Sequence, residues 1–280
     1  MTGMLIVSLS SIPPRFGKIG ESLQSLLGQT AKIDKIYLYI PNHYNRFPDW
    51  DGSLPQVPEG VEIRRTDKDL GPATKVLAAA REFRGQDVDI LLCDDDRRYE
   101  RNWAKGLLRG KAQHPGAAIA YLGLQAHMIS TSTTPRTHQP RAERSWRITD
   151  VEFQLTFLWR QILAGRNWRQ VGEPRRRVFK KSGYVDIFEG CAGVLLRPEF
   201  FDDVAYDIPP VLRSVDDVWL SGMLARADVP IWLQGNIHEP ACTEAEAFDP
   251  LVTSIVDGAD RATANRLAVE YMQENFGVWL

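Results

Sequence analysis

Apolar residues along this chain gather into short runs rich in β-branched and aromatic side chains, separated by amphipathic stretches. Leu5–Ser10, Lys35–Ile40, Val61–Arg65, Asp89–Cys93 and Ala117–Leu122 are such runs, and their length and composition predict strands. Between the first two, Ile19, Leu23, Leu26 and Leu27 fall at i, i+4, i+7 and i+8, one face of a helix. Thr74–Phe83 and Arg101–Gln113 hold few β-branched residues and are expected to be helical as well. Strand alternating with helix predicts an α/β fold with a mixed, mostly parallel central sheet flanked by helices. Such sheets bind ligands outside the carboxyl ends of their strands, so chemistry is sought there.

The rhythm breaks over residues 124–182. A hydroxyl-rich loop, Ser130–Thr134, is followed by a stretch rich in Arg that carries Trp146, Trp159 and Trp168. This segment reads as an insertion over the site rather than as part of the sheet. The pattern resumes with Gly193–Arg197 and Pro230–Gln234 as strands and Asp216–Arg226 as a helix between them. A helical tail is expected over about residues 258–280. No internal repeat or low-complexity linker divides the chain, so residues 1–280 are expected to form a single domain.

Composition narrows the class. With 44% hydrophobic and 25% charged residues, the chain has the make-up of a globular protein. No stretch approaches the roughly 20 consecutive apolar residues of a membrane-spanning helix. Met1 to Ser8 runs into the first apolar segment without a basic leader, so no signal peptide is expected. Cys93, Cys191 and Cys242 are widely spaced and odd in number, which suits a reducing, cytoplasmic setting. The net charge of −2 hides an asymmetry, for residues 136–181 hold twelve Lys or Arg against four Asp or Glu. That segment predicts either a solvated loop or a contact with an anionic partner, whether phosphate, a polyanion or the inner membrane face. No specific binding of nucleic acid is expected.

Candidate chemistry concentrates in four places. Asp94, Asp95 and Asp96 directly follow the apolar run that ends at Cys93, and three adjacent carboxylates repel one another unless a cation or protonation relieves them. If the strand continues, Asp94 and Asp96 share one face, and with phosphate oxygens and water they suit Mg²⁺ or Mn²⁺. In Asp67–Lys75, Gly71 permits a tight turn, Pro72 suits a helix start, and Lys75 lies one turn in, where a diphosphate could sit. Ser214–Trp219 opens a helix with the pair Asp216 and Asp217. One acid is enough to cap a helix, so the second is free to act as a general base. Upstream, Gly190 and Gly193 allow close approach of backbone to a ligand, and downstream His238 is a candidate metal ligand.

The order of these motifs resembles the GT-A superfamily of nucleotide-sugar glycosyltransferases, with its Rossmann-like sheet, and in particular bacterial proteins like glycosyltransferase family two. The opening Ser8-Leu9-Ser10-Ser11-Ile12-Pro13-Pro14-Arg15 looks like the family's first strand and base-binding loop, which implicates Ser8, Ser10 and Arg15. Ser22–Thr30 is similar to the helix that precedes its second strand. Asp69, Gly71, Pro72 and Lys75 fall in its donor segment, and Asp94-Asp95-Asp96 matches its D-x-D motif, with Asp95 beside the nucleotide. Gly190–Gly193 matches its glycine loop, and Asp216-Asp217 its acidic pair, although here the pair is Asp-Asp rather than Glu-Asp. His238 stands where many metal-dependent members have a late ligand. The resemblance covers about residues 4–240. It implies metal-dependent, inverting transfer of a sugar from a nucleoside-diphosphate sugar to an acceptor hydroxyl, with Asp94, Asp96 and His238 on the metal and the insertion at about 124–182 on the acceptor side. As base it implies Asp217, the second acid of the pair, or Asp216, since the Asp-Asp departure leaves the choice open.

Two other readings compete. A sugar nucleotidylyltransferase would need a Gly-rich loop after the first strand, where Ser10–Gly17 instead carries prolines. A catalytically inactive protein would bind nucleotide sugar or polyanion without turnover.

Overall fold

The structure, a computed structural model, describes residues 3–130, 132–133, 138–213, 215–249 and 261–280. Ser214, residues 258–260 of the expected tail, Thr131 and Thr134 of the hydroxyl-rich loop, and the first two residues of the basic segment lie outside that range.

Eight strands form one sheet: β1 (Met4–Ser10), β2 (Lys35–Pro41), β3 (Val61–Thr66), β4 (Val88–Leu92), β5 (Ala118–Ala120), β6 (Gly183–Val185), β7 (Val194–Leu196) and β8 (Ile231–Leu233). Their spatial order is β6-β8-β5-β7-β4-β1-β2-β3. The pairs β3–β2, β2–β1, β1–β4 and β5–β8 are parallel, whereas β7 runs against both β4 and β5, and β6 against β8. The expected mixed, mostly parallel α/β sheet is present, with helices flanking it. Leu5, Ile6, Val7 and Leu9 of β1 are all buried, as a central strand covered on both faces requires.

Six helices accompany the sheet among the described residues: α1 (Gly20–Leu27), α2 (Thr74–Glu82), α3 (Trp103–Gln113), α4 (Val151–Ala164), α5 (Asp216–Arg226) and α6 (Arg261–Phe276). Ile19, Leu23 and Leu26 at the start and along α1 are fully buried, but Leu27, expected on the same face, is 37% exposed at the helix end. The helix stops at Gly28, so the stripe loses its last member to the turn. In α2, Val76, Leu77, Ala79 and Ala80 face the core. The tail helix α6 packs on α5, with Met272 against Gly222 and the Phe276 ring edge-on to Trp219 at 6.0 Å.

Within the predicted insertion, α4 is flanked by a short antiparallel pair, Glu143–Arg144 with Phe179–Lys181. The chain end of that unit is tied back to the body, since Asn236 N–H donates to Phe179 O and Glu239 N–H to Arg176 O.

Candidate active site

β4 ends at Leu92 and the chain turns over Asp95 and Asp96 before Arg97–Arg98 pairs antiparallel with Ala241–Cys242. The acids therefore do not continue a strand, and Asp94 and Asp96 are not presented as same-face neighbours of an extended segment. Each carboxylate meets a cation from elsewhere in the chain. Asp94 Oδ1 lies 2.7 Å from Lys75 Nζ. Arg15 Nη1 reaches both Asp95 Oδ1 at 2.8 Å and Asp96 Oδ2 at 3.0 Å, and Arg97 Nε sits 3.4 Å from Asp96 Oδ1. The Ser11 hydroxyl donates to Asp95 Oδ2.

Lys75 joins this turn to the second acidic cluster. Its ammonium also lies 3.2 Å from Asp216 Oδ2, at the first residue of α5, and its side chain is only 7% exposed. Gly190 N–H donates to Asp217 Oδ1 at 3.1 Å. A Cβ on Gly190 would stand 3.0 Å from that oxygen and 3.2 Å from Lys75 Nζ, so the absence of a side chain lets the loop close on the acids. Asp94, Lys75, Asp216, Asp217 and Gly190 thus form one constellation, drawn from β4, α2, the glycine loop and α5.

Electrostatics separates the acids. Burial acts against the charged form of Asp94, but Lys75 prevails and holds its carboxyl below the usual range. Asp217 is pushed well above that range by burial, with Asp216 and Asp94 adding to the effect and Lys75 opposing it. Lys75 itself is raised well above an ordinary lysine, because Asp216, Asp94 and Asp217 together outweigh its burial.

Asp96 is pushed up to about 6 by burial and by the charges of Asp94 and Asp95, against the pull of Arg15 and Arg97. An acid raised in this way destabilises the fold once ionised. The penalty is absent below the unfolded value near 3.9 and complete above the folded value. Asp96→Asn is therefore expected to stabilise the protein by about 2 kcal/mol at pH 7–8, with the gain fading as pH falls from about 6 to 4. Urea unfolding of both proteins across that range checks it; a gain independent of pH would refute the cause given.

Several sequence expectations find other roles. Ser8 is fully buried and its hydroxyl donates to Lys75 O, so it ties β1 to α2 instead of facing a nucleotide. Ser10, the last residue of β1, is half-buried. Asp69 Oδ1 accepts from Gly71 N–H at 2.8 Å and its Oδ2 from Asn45 N–H at 2.7 Å, the work of a turn-capping acid. Gly71 has φ +60°, which the tight turn demands, and Pro72 lies in the single 3₁₀ turn before α2. Lys75, expected to face a diphosphate, is committed to two carboxylates. Gly193 has φ +99°, and a Cβ there would collide with the Trp103 indole, so its open face is filled by packing and not by a ligand. His238 Nε2 lies 3.2 Å from Glu152 Oε1 on α4, so its imidazole is engaged by that helix.

Two residues of the site escaped sequence reading. Tyr99 OH accepts from Asp94 N–H at 2.9 Å and donates to Cys191 O at 3.0 Å, clamping the acidic turn to the glycine loop. Arg97 supplies a second cation to Asp96. A lone aromatic inside the polar run Arg97-Arg98-Tyr99-Glu100-Arg101 was the available signal. Burial raises the Cys93 and Cys191 thiols well above their ordinary values, so neither is a ready nucleophile.

Among the described residues no group of three His, Cys, Asp or Glu side chains converges as a complete metal shell. The acidic turn nevertheless suits a hard divalent cation that brings most of its oxygens with it. Asp96 Oδ1 is buried without a hydrogen-bond partner, and the raised Asp96 carboxyl is one that further positive charge would relieve. A cation sharing diphosphate oxygens and water needs only one or two carboxylates from the protein. Neither of two cavities, one lined by His138, Arg141 and Asp186 and the other by Trp146, Asp150 and Glu152, is lined by the acidic turn.

No protein-family model and no curated protein sequence matches the chain. Among solved structures it is similar to S. aureus TarS 1–349, at 12% identity over 98% of this chain and 74% of that one, with a TM-score of 0.45. It is also similar to GalNAc-T7 solved with UDP, GalNAc and Mn²⁺, at 10% identity over 83% of this chain, with a TM-score of 0.45. The chain spans only 42% of the latter's length. Both are glycosyltransferases. At such identities and scores the likeness carries nothing about what this chain binds or transfers.

Proposed function

We propose that the chain is a glycosyltransferase that moves a sugar from a nucleoside-diphosphate sugar to an acceptor hydroxyl with inversion. The observation that carries this reading is the single buried ammonium of Lys75, which touches an acid at the end of β4 and an acid at the start of α5. It brings the D-x-D-like turn and the late acidic pair into one site, the arrangement that donor binding and proton removal both require.

Asp217 is the base. Asp216 is buried and paired with Lys75, whereas Asp217 is half-buried, and burial raises its carboxyl, which suits it to take up a proton once ionised. It would take the proton of the acceptor hydroxyl as that oxygen forms its bond to the anomeric carbon. The bond from the anomeric carbon to the diphosphate oxygen breaks on the opposite face, and the electron pair leaves with the nucleoside diphosphate. One displacement assisted by one base inverts the centre. Gly190 N–H, donating to Asp217 Oδ1, aims the carboxylate. Asp96, with Asp94, would hold a Mg²⁺ or Mn²⁺ ion, whose chemistry is to offset the charge gathering on the diphosphate. Lys75 keeps Asp94 ionised and fixes its position relative to Asp216. Arg15 and Tyr99 hold the turn in shape.

The test is incubation of the protein with a panel of nucleotide sugars and simple glycoside acceptors, with and without Mn²⁺. Release of nucleoside diphosphate that depends on acceptor and is lost on chelation is expected. Formation of nucleotide sugar from a sugar phosphate and a nucleoside triphosphate would favour a nucleotidylyltransferase. Tight nucleotide binding without turnover across the panel would favour the inactive binding protein.

A further inference from the structure

The side chains of α4 are arranged the wrong way round for a helix of a protein surface bathed only in water. Val151, Leu155, Leu158, Trp159, Ile162 and Leu163 follow the spacing i, i+4, i+7, i+8, i+11 and i+12, a single stripe, and are 53–69% exposed. The opposite face carries Phe153, the helix's one buried side chain, stacked on Phe157 at 5.9 Å. That face anchors the helix: Arg147 and Arg176 lie over the Phe153 ring at 5.2 and 5.4 Å, and Asp150 caps the first turn through Phe153 N–H. Glu152, the acid nearest the stripe, is drawn to Arg177 and His238. The apolar face extends beyond the helix through Trp146 and Ile148, 77% and 88% exposed, and through Trp168.

Around this stripe the acids Glu152 and Glu173 are taken up in ion pairs, and the charge left over is positive. Arg160, Arg166 and Arg169 are exposed, and among the described residues none has a carboxylate within ion-pair distance. An exposed apolar stripe edged by uncompensated arginines, with tryptophans at both ends, matches the interface of an anionic bilayer, where rings and aliphatic chains enter the acyl boundary and guanidinium groups stay with the headgroups. A second copy of the chain fits less well, because a two-fold contact through this face would set arginines against arginines. The segment is too short to cross a membrane: α4 has 14 residues, about 21 Å, and no described helix is long and apolar enough to span.

We propose that α4 and its flanking Trp146 and Trp168 form a docking surface for anionic lipid membrane. This assignment is independent of the transfer reaction. The test is vesicle flotation of the full chain with phosphatidylcholine alone and with added phosphatidylglycerol, at low and high salt. Two surface variants accompany it, Leu155→Ser/Leu158→Ser/Ile162→Ser and Arg160→Gln/Arg166→Gln/Arg169→Gln, with circular dichroism to show that both remain folded. The wild type is expected to float with the anionic vesicles and far less with the neutral ones. Each variant is expected to lose about tenfold or more in partitioning. Absence of flotation, or flotation equal in the variants, would overturn the proposal. Binding lost in the arginine variant but kept in the apolar one would indicate a dissolved polyanion and overturn it as well. So would a lipid-free dimer, seen by light scattering, that the apolar variant converts to monomer.

Discussion

Asp217→Asn is expected to lower the turnover of sugar transfer by about two to four orders of magnitude, the usual contribution of a positioned general base. The affinity for nucleotide should stay near that of the wild type. Asparagine has the same shape, and its amide oxygen can still accept from Gly190 N–H, so the loop geometry is preserved while the proton acceptor is lost. The pH dependence supplies an independent sign. Burial and the neighbouring charges of Asp216 and Asp94 raise the Asp217 carboxyl, so the ionised, active form accumulates only as pH rises through that raised value. The turnover of the wild type should climb over that range and that of Asp217→Asn should not. Single-turnover kinetics with the productive donor across pH provides the check, and a variant retaining full turnover removes the base assignment. Asp216→Asn is the contrasting variant: its partner is Lys75, so its effect should fall on folding stability as well as on rate.

Lys75→Met is expected to destabilise the protein by about 3–5 kcal/mol, the range for removing one partner of a buried ion pair. The methionine keeps the apolar stem but leaves Asp94 and Asp216 facing one another without the cation between them. The raised value of Lys75 makes the sign definite. A lysine held above its unfolded value stabilises the folded state fully below that unfolded value, near 10.4, and the contribution is lost only as pH rises through the folded one. At pH 7 the whole effect is therefore present, and the melting temperature should drop by about 10 °C, at roughly 2–4 °C per kcal/mol for a chain of this size. The double variant Lys75→Met/Asp216→Asn should lose less than the sum of the single losses, because the second change removes a charge that the first left unpaired. Unchanged melting of Lys75→Met would mean that the three charges are solvated, and the site as described would not stand.

Seven of the eight sheet strands and most helices were legible in the chain itself; the edge strand β6, three residues beside the insertion, was not. Period and propensity are set by near neighbours: the apolar run Leu5–Leu9 can be satisfied only by a strand buried on both faces, and Leu23 and Leu26 only by a helix with one face on the core. The residue types of the site were legible too, since adjacent carboxylates such as Asp94–Asp96 and Asp216–Asp217 need an account wherever they fall. Their partners were not. Strand alternation placed Asp94 and Asp96 together, but the chain turns after Leu92, and the acids are sorted by cations that arrive from residues 15, 75 and 97. Gly193 read as an opening for a ligand and is occupied by Trp103; His238 read as a metal ligand and is held by Glu152. Which charges meet in a low-dielectric interior depends on segments far apart in sequence, and pairing energies there outweigh any local preference. Local pattern thus determined the α/β framework and the stock of reactive groups. Only the tertiary structure decided that one lysine would bind residues 94 and 216 into a single site, and that the apolar stripe of α4 would face outward.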